Sequence, residues 1–282
     1  MKVAALQMVS TPHVETNLKA ARALLEQAAA AGAELALLPE YFCVMGHHDR
    51  DKLALAEPDL QERGTGPGAA GTEEAPIQYF LATSAKDLGL WLVGGTLPLR
   101  TADPERAANA TLVYGPQGER VVRYDKIHLF RYDNGRERYD EAAVLQAGAA
   151  PTHFNLTDRS GQPWRVGLSV CYDIRFPELY RALQADLLLV PAAFTHTTGQ
   201  AHWEVLLRAR AIENQAFVLA SAQGGRHENG RLTWGQSMAI DPWGVVLQQQ
   251  ASGPAVVLAD LDPARLQAVR SQLPALQHRR LP

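Results

Sequence analysis

The chain repeats one pattern of strands and turns, and this internal repeat limits the folds open to it. The segment AELALLPEYF at residues 33–42 returns as ADLLLVPAAF at residues 185–194, with the same Pro after the apolar run and the same closing Phe. Three more segments match in the same order, which argues against chance: residues 3–8 with 166–171, 89–96 with 216–223, and 110–121 with 236–246. The sequence therefore predicts two halves related by internal pseudo-symmetry.

Within each half, apolar strand-like runs alternate with helix-like segments. In the first half, residues 3–8 predict a buried strand and residues 35–38 a second one. Between them, residues 17–31 predict a helix with Thr16 as its N-cap and Gly32 just past its end. Such alternation is typical of parallel strands in a sheet that helices cover. Two sheets of this kind would bury their bare faces together, so we predict an α/β fold, a four-layer αββα sandwich with an internal pseudo-twofold repeat.

We expect residues 1–262 to form a single domain, built from two intertwined halves at about residues 1–126 and 165–250. Residues 263–282 then predict a short helix opened by Pro263, followed by an extended tail. The tail carries three leucines that a solvated arm would gain nothing by exposing: Leu273, Leu276 and Leu281. They require a groove, either on the same subunit or on a partner.

Composition excludes several classes of protein. A formal net charge of -3 gives no electrostatic reason to expect nucleic acid or an anionic membrane as a partner, and the longest apolar run is too short to cross a bilayer. Two cysteines make no disulfide framework, and no CxxC or HExxH spacing occurs, so we expect neither a metal nor another cofactor. The run GTGPGAAG at residues 64–71 lacks a following Gly-Lys-Ser/Thr and predicts a surface loop rather than a phosphate site. We expect a cytoplasmic protein that acts on a small molecule.

Three reactive residues follow predicted strands, at the sheet edge where α/β proteins gather functional side chains. Glu40 comes directly after Pro39, Lys126 follows the last strand of the first half, and Cys171 ends the first strand of the second half. Taken singly, each has a plainer interpretation: a solvated carboxylate, a surface lysine, and a small residue filling the core. The repeat makes their convergence plausible, because pseudo-symmetry brings equivalent strand ends together near its axis.

Taken together, the three residues stand in motifs that resemble those of a known family. LPEYF at residues 38–42, YDKIHLF at 124–130 and SVCYDIRFPELYR at 169–181 resemble the Glu, Lys and Cys motifs of the nitrilase superfamily of carbon–nitrogen hydrolases. TGQAHWEVLLRARAIENQ at 198–215 and SMAIDPWG at 237–244 resemble its Nit branch, which contains deaminated-glutathione amidases and ω-amidases. The resemblance covers nearly the whole chain and implies an αββα sandwich and a homodimer or larger homo-oligomer, with the tail in the contact.

The resemblance also implies a mechanism. Cys171 would attack an amide carbon, Glu40 would act as general base and acid, and Lys126 with the Tyr172 backbone N–H would stabilise the oxyanion. The family has a second carboxylate, which matches Glu141, although Asp140 remains a rival because the local loop varies in length. We expect Asp173 and Arg175 to form a structural ion pair behind Cys171.

The expected reaction is hydrolysis of the terminal carboxamide of a small carboxylate-bearing amide to acid plus ammonia through a Cys thioester. Deaminated glutathione is the preferred substrate, with α-ketoglutaramate or α-ketosuccinamate as the alternative. A nitrilase, another small-amide hydrolase and a non-catalytic scaffold with the same fold remain rivals. A substrate carboxylate would require an arginine, and four loop arginines could supply it: Arg131, Arg136, Arg138 and Arg226.

Overall fold

Two β-sheets place the strand-ending residues described above. The computed structural model describes residues 1–62 and 74–281, so the predicted Gly-rich loop at residues 64–71 lies outside the described residues. The strands of the first sheet are β1 (Lys2–Gln7), β2 (Leu35–Leu37), β3 (Trp91–Val93), β4 (Leu97–Arg100), β5 (Ala107–Tyr114), β6 (Arg120–Asp125), β9 (Leu145–Gln146) and β18 (Ala255–Asp260). Their order is β18-β1-β2-β3-β5-β4, with β6 and β9 also pairing with β5.

The second sheet repeats this order. Its strands are β10 (His153–Thr157), β11 (Pro163–Leu168), β12 (Leu187–Ala192), β13 (Phe217–Ala222), β16 (Ser237–Ile240) and β17 (Val246–Gln250), joined in that sequence. In both sheets three parallel strands are flanked by antiparallel ones, since β1-β2-β3 and β11-β12-β13 are parallel while β18 and β10 run against their neighbours. The predicted repeat is thus a repeat of sheet topology. Two short hairpins stand outside the sheets: β7 (Arg131–Asp133) with β8 (Arg138–Asp140), and β14 (Gly224–Arg226) with β15 (Leu232–Trp234).

Helices cover the outer faces of the two sheets. In the described part of the chain they are α1 (Val14–Ala30), α2 (Asp51–Ala54), α3 (Pro76–Leu88), α4 (Pro177–Leu183), α5 (His196–Asn214) and α6 (Pro263–Gln272). Short 3-10 turns span Glu141–Ala143, Cys171–Arg175 and Ala275–His278. None of the described helices combines the length and hydropathy that a membrane span requires.

Alternation along the strands explains the four layers. In β1, Val3 and Ala5 pack into the core between the sheets, together with residues of β2, β12 and β13. The intervening Ala4 and Leu6 pack under α1 and α3 in a separate apolar cluster. Because successive side chains of a strand point to opposite faces, a strand that is apolar at every position must lie between two layers. The αββα sandwich predicted from the repeat is confirmed.

The start of α1 was predicted wrongly. The helix begins at Val14, with His13 rather than Thr16 at the N-cap. Asn17 explains the difference: its side-chain amide accepts from Thr11 N–H and donates to the Thr11 carbonyl, both at 2.8 Å, and thereby holds the incoming chain one turn earlier. The predicted end is correct, since Gly32 follows the helix with a positive φ of 84°.

Candidate active site

Glu40 lies at the carboxyl end of β2, in a strained turn after Pro39. The next residue, Tyr41, adopts a left-handed conformation with φ of 56°. Such a conformation costs a non-glycine residue about 1–3 kcal/mol, so its surroundings must hold it; the Tyr41 N–H donates to Thr96 Oγ1 at 2.9 Å. Gly95 permits the close approach, because a Cβ there would lie 2.1 Å from the Pro39 carbonyl oxygen. The turn fixes Glu40 in the interior, where it is 1% exposed.

Cys171 lies on a second strained turn, where the chain passes from β11 into a 3-10 turn and then α4. Its φ is 49°, again in the left-handed region. Burial and the neighbouring charge of Glu40 raise the pKa of the Cys171 thiol well above its ordinary value, and Lys126 opposes them only in part. The thiol is therefore protonated at neutral pH and needs a base before it can attack.

Lys126 follows β6 and places its ammonium between two carboxylates. The side chain is 0% exposed, and Nζ lies 3.0 Å from Glu40 Oε1 and 2.9 and 2.7 Å from Glu141 Oε1 and Oε2. Burial by itself would lower the pKa of Lys126, but the charges of Glu141 and Glu40 outweigh it and raise that pKa. Lys126 is thus a fixed cation in the interior.

Glu141, rather than Asp140, is the carboxylate that reaches Lys126. Its Oε1 accepts a hydrogen bond from the Tyr41 hydroxyl (2.9 Å), and its Oε2 accepts one from the Phe130 N–H (2.7 Å). Burial would raise the pKa of Glu141, yet the charge of Lys126 lowers it below its ordinary value. Asp140 points elsewhere, with a 36% exposed side chain that lies 3.8 Å from Arg131.

Glu40 connects the two halves of the molecule. Its Oε1 accepts from Asn109 Nδ2 (3.0 Å) on β5, and its Oε2 accepts from the Ala193 N–H (2.8 Å) just after β12. Glu40 is also close enough to the Cys171 thiol for its charge to raise the pKa of that thiol. The three residues predicted from strand ends are therefore brought together, with Glu40 between the lysine and the cysteine.

The predicted ion pair between Asp173 and Arg175 does not form. Asp173 Oδ2 instead accepts from the Tyr124 hydroxyl (2.7 Å) and the Val170 N–H (2.8 Å), while Oδ1 lies 2.7 Å from His128 Nδ1. Arg175 points away from it, over the rings of Tyr172 and Phe194. Since Asp173 has polar partners enough without a cation, it ties the Cys171 turn to the segment that carries Lys126.

A narrow pocket opens at the thiol. Its lining includes apolar and hydroxyl groups from both sides of Cys171: Phe130, Tyr172, Ala193, Phe194, Thr195 and Thr198. The Tyr172 N–H, proposed from the family as an oxyanion donor, has no acceptor among the residues that the structure describes. A donor left unpaired beside the nucleophile is available to a developing oxyanion.

The four arginines predicted as carboxylate binders lie exposed on the two short hairpins, β7–β8 and β14–β15. Arg131 and Arg138 have side chains 78% and 77% exposed, and Arg136 and Arg226 are also exposed. Sequence reasoning missed Arg231, which is half-buried and donates to the Ala193 carbonyl (3.4 Å), next to the N–H that binds Glu40. No sequence signal distinguished it, because it lies in a polar turn, RHENGR, that looks like any surface hairpin.

Comparison with known proteins identifies relatives over the whole chain. The family model described as carbon-nitrogen hydrolase matches residues 2–271. A protein of Synechocystis named deaminated glutathione amidase is 41% identical over 98% of this chain and 97% of its own length. An ω-amidase of Danio rerio is 36% identical over 99% and 94%. Among solved structures, an amidase from Nesterenkonia sp. AN1, described with acrylamide added to its active-site cysteine, is 27% identical over 97% of this chain and 98% of that one, with a TM-score of 0.75.

The lowered pKa of Glu141 predicts a pH-dependent contribution to stability. Because its charged form is favoured in the fold, Glu141 stabilises the protein above its unfolded pKa of about 4.3, and the contribution is lost as pH falls through the lower folded pKa. Glu141→Gln should lower the free energy of unfolding by about 3–5 kcal/mol at pH 7, and the gap from the unsubstituted protein should narrow below about pH 4.3.

Urea unfolding at one protein concentration, between pH 3.5 and 7.5, measures this gap. Asp140→Asn is the matched control, and it should show almost no gap at any pH because Asp140 is half-exposed and weakly paired. A gap for Glu141→Gln that stays constant across the pH range would mean that Lys126 does not hold Glu141 in its charged form.

Proposed function

The chain belongs to the carbon–nitrogen hydrolase family and is an amidase of its Nit branch, and from this premise we propose that Cys171, Glu40 and Lys126 carry out the hydrolysis. The observation that supports the assignment best is the buried contact of Lys126 Nζ with Glu40 Oε1 at 3.0 Å, beside a protonated thiol. The reported addition of acrylamide to the active-site cysteine of the Nesterenkonia amidase supports the choice of nucleophile.

In the first step the thiol gives its proton to Glu40 while sulfur bonds to the amide carbon. The carbonyl π electrons move to oxygen, which becomes an oxyanion. Transfer of the proton leaves Glu40 neutral, so the thiolate never has to persist beside a carboxylate charge that raises its pKa. One group thus works as the base that activates the nucleophile, as His does in serine hydrolases.

The oxyanion would be met by two donors. An ammonium has three hydrogens, and Lys126 Nζ contacts three carboxylate oxygens, Glu40 Oε1 and both oxygens of Glu141. A substrate oxyanion would take over one of the two contacts with Glu141. The Tyr172 N–H adds a second donor from the Cys171 turn. A single donor of this kind is worth about 3–4 kcal/mol of barrier. In this assignment Glu141 positions Lys126, because its oxygens are already held by Tyr41 and Phe130.

Breakdown of the tetrahedral intermediate uses the same proton. Glu40 returns it to the departing nitrogen, the carbon–nitrogen bond breaks, and the acyl group stays on sulfur as a thioester. Glu40 is then a carboxylate again and can take a proton from water, whose oxygen attacks the thioester and releases acid and thiol. The cycle needs no group beyond these side chains and water.

Deaminated glutathione is the proposed substrate, with α-ketoglutaramate as the alternative. Both carry the α-ketoglutaryl acyl group and both give α-ketoglutarate; they differ in the leaving group, which is the amine of cysteinylglycine in the first and ammonia in the second. The expected ammonia therefore applies only to the primary amide. The name of the Synechocystis relative supports the first substrate, and that of the Danio rerio relative the second.

A homo-oligomer and a cytoplasmic location complete the proposal. Leu273 and Leu281 remain 49% and 79% exposed in the single chain, although α6 before them is anchored by Arg270, whose Nη1 lies 2.7 Å from Asp186. The outer face of α5 also exposes Ile212, which packs against Gly244 of the β16–β17 turn, and the neighbouring Trp243 is exposed as well. Exposed apolar groups of this size favour a second copy as cover, and a catalytic thiol favours a reducing compartment.

Glu40→Gln tests the shared base and acid. The variant should slow both formation and hydrolysis of the thioester, by about 100- to 10,000-fold each, because one carboxylate serves both steps. Rapid quenching and mass spectrometry of the adduct on Cys171 measure the two rates. Cys171→Ala should form no adduct, and Glu26→Gln, which alters a 55% exposed carboxylate on α1, should match the unsubstituted protein. Normal formation of a thioester that then persists would show that another group activates Cys171.

Substrate preference tests the acyl and leaving groups. We expect kcat/KM for deaminated glutathione to exceed that for α-ketoglutaramate, with a simple nitrile hydrolysed far more slowly than either. Enzymatic assay of α-ketoglutarate, the product common to both amides, gives a like-for-like comparison. Equal or reversed values would assign the protein as an ω-amidase instead.

Deleting residues 274–282 tests the oligomer. The deletion keeps α6 and the contact of Gln215 with the Leu273 carbonyl but removes the exposed tail beyond it. We expect light scattering to show a smaller species and thermal unfolding at a lower temperature, while the far-ultraviolet circular dichroism stays nearly unchanged. A full-length protein that is already monomeric at micromolar concentration would contradict the proposal.

A further inference from the structure

Arg231 has no ion-pair partner among the residues that the structure describes. Its guanidinium has five N–H donors, yet the contacts it makes are weak ones, to the Ala193 carbonyl at 3.4 Å and to the Met45 sulfur at 4.0 Å. The Nε atom is buried without a hydrogen-bond partner. Within residues 1–62 and 74–281, no carboxylate forms an ion pair with it.

Two other arginines of this protein, Arg123 and Arg210, have a carboxylate partner. Arg123 lies 2.8 Å from Asp59 with a side chain 20% exposed, and Arg210 lies 2.6 Å from Glu213 with one 6% exposed. Both pairs follow the rule that a buried charge needs a counter-charge. The charge of Arg231 helps Lys52 to lower the pKa of the nearby Asp49 against the effect of burial, but the ion pair that the Asp49 carboxylate forms is with Lys52, at 3.0 Å.

The position of Arg231 relates it to the chemistry. Ala193 donates its N–H to Glu40 and accepts from Arg231 through its carbonyl, so one residue separates the guanidinium from the catalytic acid. Ala193 also lines the pocket at the Cys171 thiol. One face of the guanidinium is covered by the Tyr139 ring, 5.1 Å away, which limits the rotation of the side chain and keeps its planar fork oriented.

We propose that Arg231 binds a carboxylate of the amide substrate and so sets the preference of the site for carboxylate-bearing amides. The inference rests on the proposed amidase function. A guanidinium binds a carboxylate through two parallel N–H···O bonds. A substrate carboxylate would supply the ion-pair partner that Arg231 lacks among the described residues. That carboxylate can come from the acyl end of the substrate or from its leaving group, and deaminated glutathione carries one at each end.

Three matched compounds distinguish the sources. Butyramide carries no carboxylate, succinamate carries one at the acyl end, and N-butyrylglycine carries one on the leaving group. A compound that is hydrolysed too slowly to measure is tested instead as a competitive inhibitor of the hydrolysis of the others. For one or both carboxylate compounds, Arg231→Met should lower kcat/KM, or raise the inhibition constant, by about 10- to 100-fold. The change in kcat/KM should come mainly from a higher KM. The value for butyramide should change by less than about 3-fold. For the carboxylate compounds, Arg231→Lys should give values between those of Arg231→Met and of the unsubstituted protein.

Controls separate this role from a structural one. Arg22→Met, on the exposed side of α1, should leave kcat/KM or the inhibition constant unchanged for all three compounds. Circular dichroism should show that Arg231→Met folds. An equal fall for butyramide and the carboxylate compounds would overturn the inference, since loss of structure acts on all substrates alike. So would an unchanged preference in Arg231→Met together with a lost one in Arg131→Met or Arg175→Met. Failure of the amidase proposal would look different, because the unsubstituted protein would then hydrolyse none of these amides.

Discussion

The buried ammonium of Lys126 needs counter-charges, and meeting that need organises the site. A lone cation in the interior would cost several kcal/mol, and removing one partner of a buried pair costs about 3–5 kcal/mol. Glu40 and Glu141 meet the need from two different segments, at 3.0 and 2.7 Å. The strand end after β2, the strand end after β6 and the loop before β9 are therefore held at one point by electrostatics. The interaction that stabilises the buried ammonium is thus also the one that holds it in the proposed active site.

Backbone strain appears at the two turns next to this charge cluster. Tyr41 and Cys171 both adopt positive φ, at 56° and 49°. A side chain stabilises each of these conformations by accepting a backbone hydrogen bond. Thr96 accepts from the Tyr41 N–H, and Asp173 accepts from the Val170 N–H just before Cys171. Asp173 also binds Tyr124 and His128, on either side of Lys126. The strained turn at Cys171 is thus supported by the segment that carries Lys126.

Much of the fold and of the central site followed from sequence, while the charge partners did not. The repeat predicted the sandwich because alternating apolar runs leave few ways to bury two sheet faces. Strand ends predicted Glu40, Lys126 and Cys171, since parallel strands bring their carboxyl ends to one edge. Asp173 shows the limit. Proximity in sequence favoured Arg175 as its partner, yet Tyr124 and His128, more than 40 residues away, satisfy it. Arg231 was missed for a related reason, because the feature that distinguishes it is the lack of an ion pair within residues 1–62 and 74–281, which no local sequence pattern shows.

The two halves share a topology but divide the chemistry. Aligned by the repeat, Glu40 corresponds to Ala192, and Cys171 corresponds to Met8. At each of these two positions one half keeps the reactive residue, and the other half has a small or apolar residue there. The second half still serves the acid of the first through its backbone and amide: the Ala193 N–H donates to Glu40 Oε2 at 2.8 Å, and Gln223 Nε2 donates to the Glu40 carbonyl at 3.1 Å. Pseudo-symmetry has thus brought two strand ends together without duplicating the site. Position 192 directly precedes the residue whose N–H binds Glu40. A second carboxylate there would add a negative charge near the first without a second lysine to balance it, and an unpaired buried charge is costly.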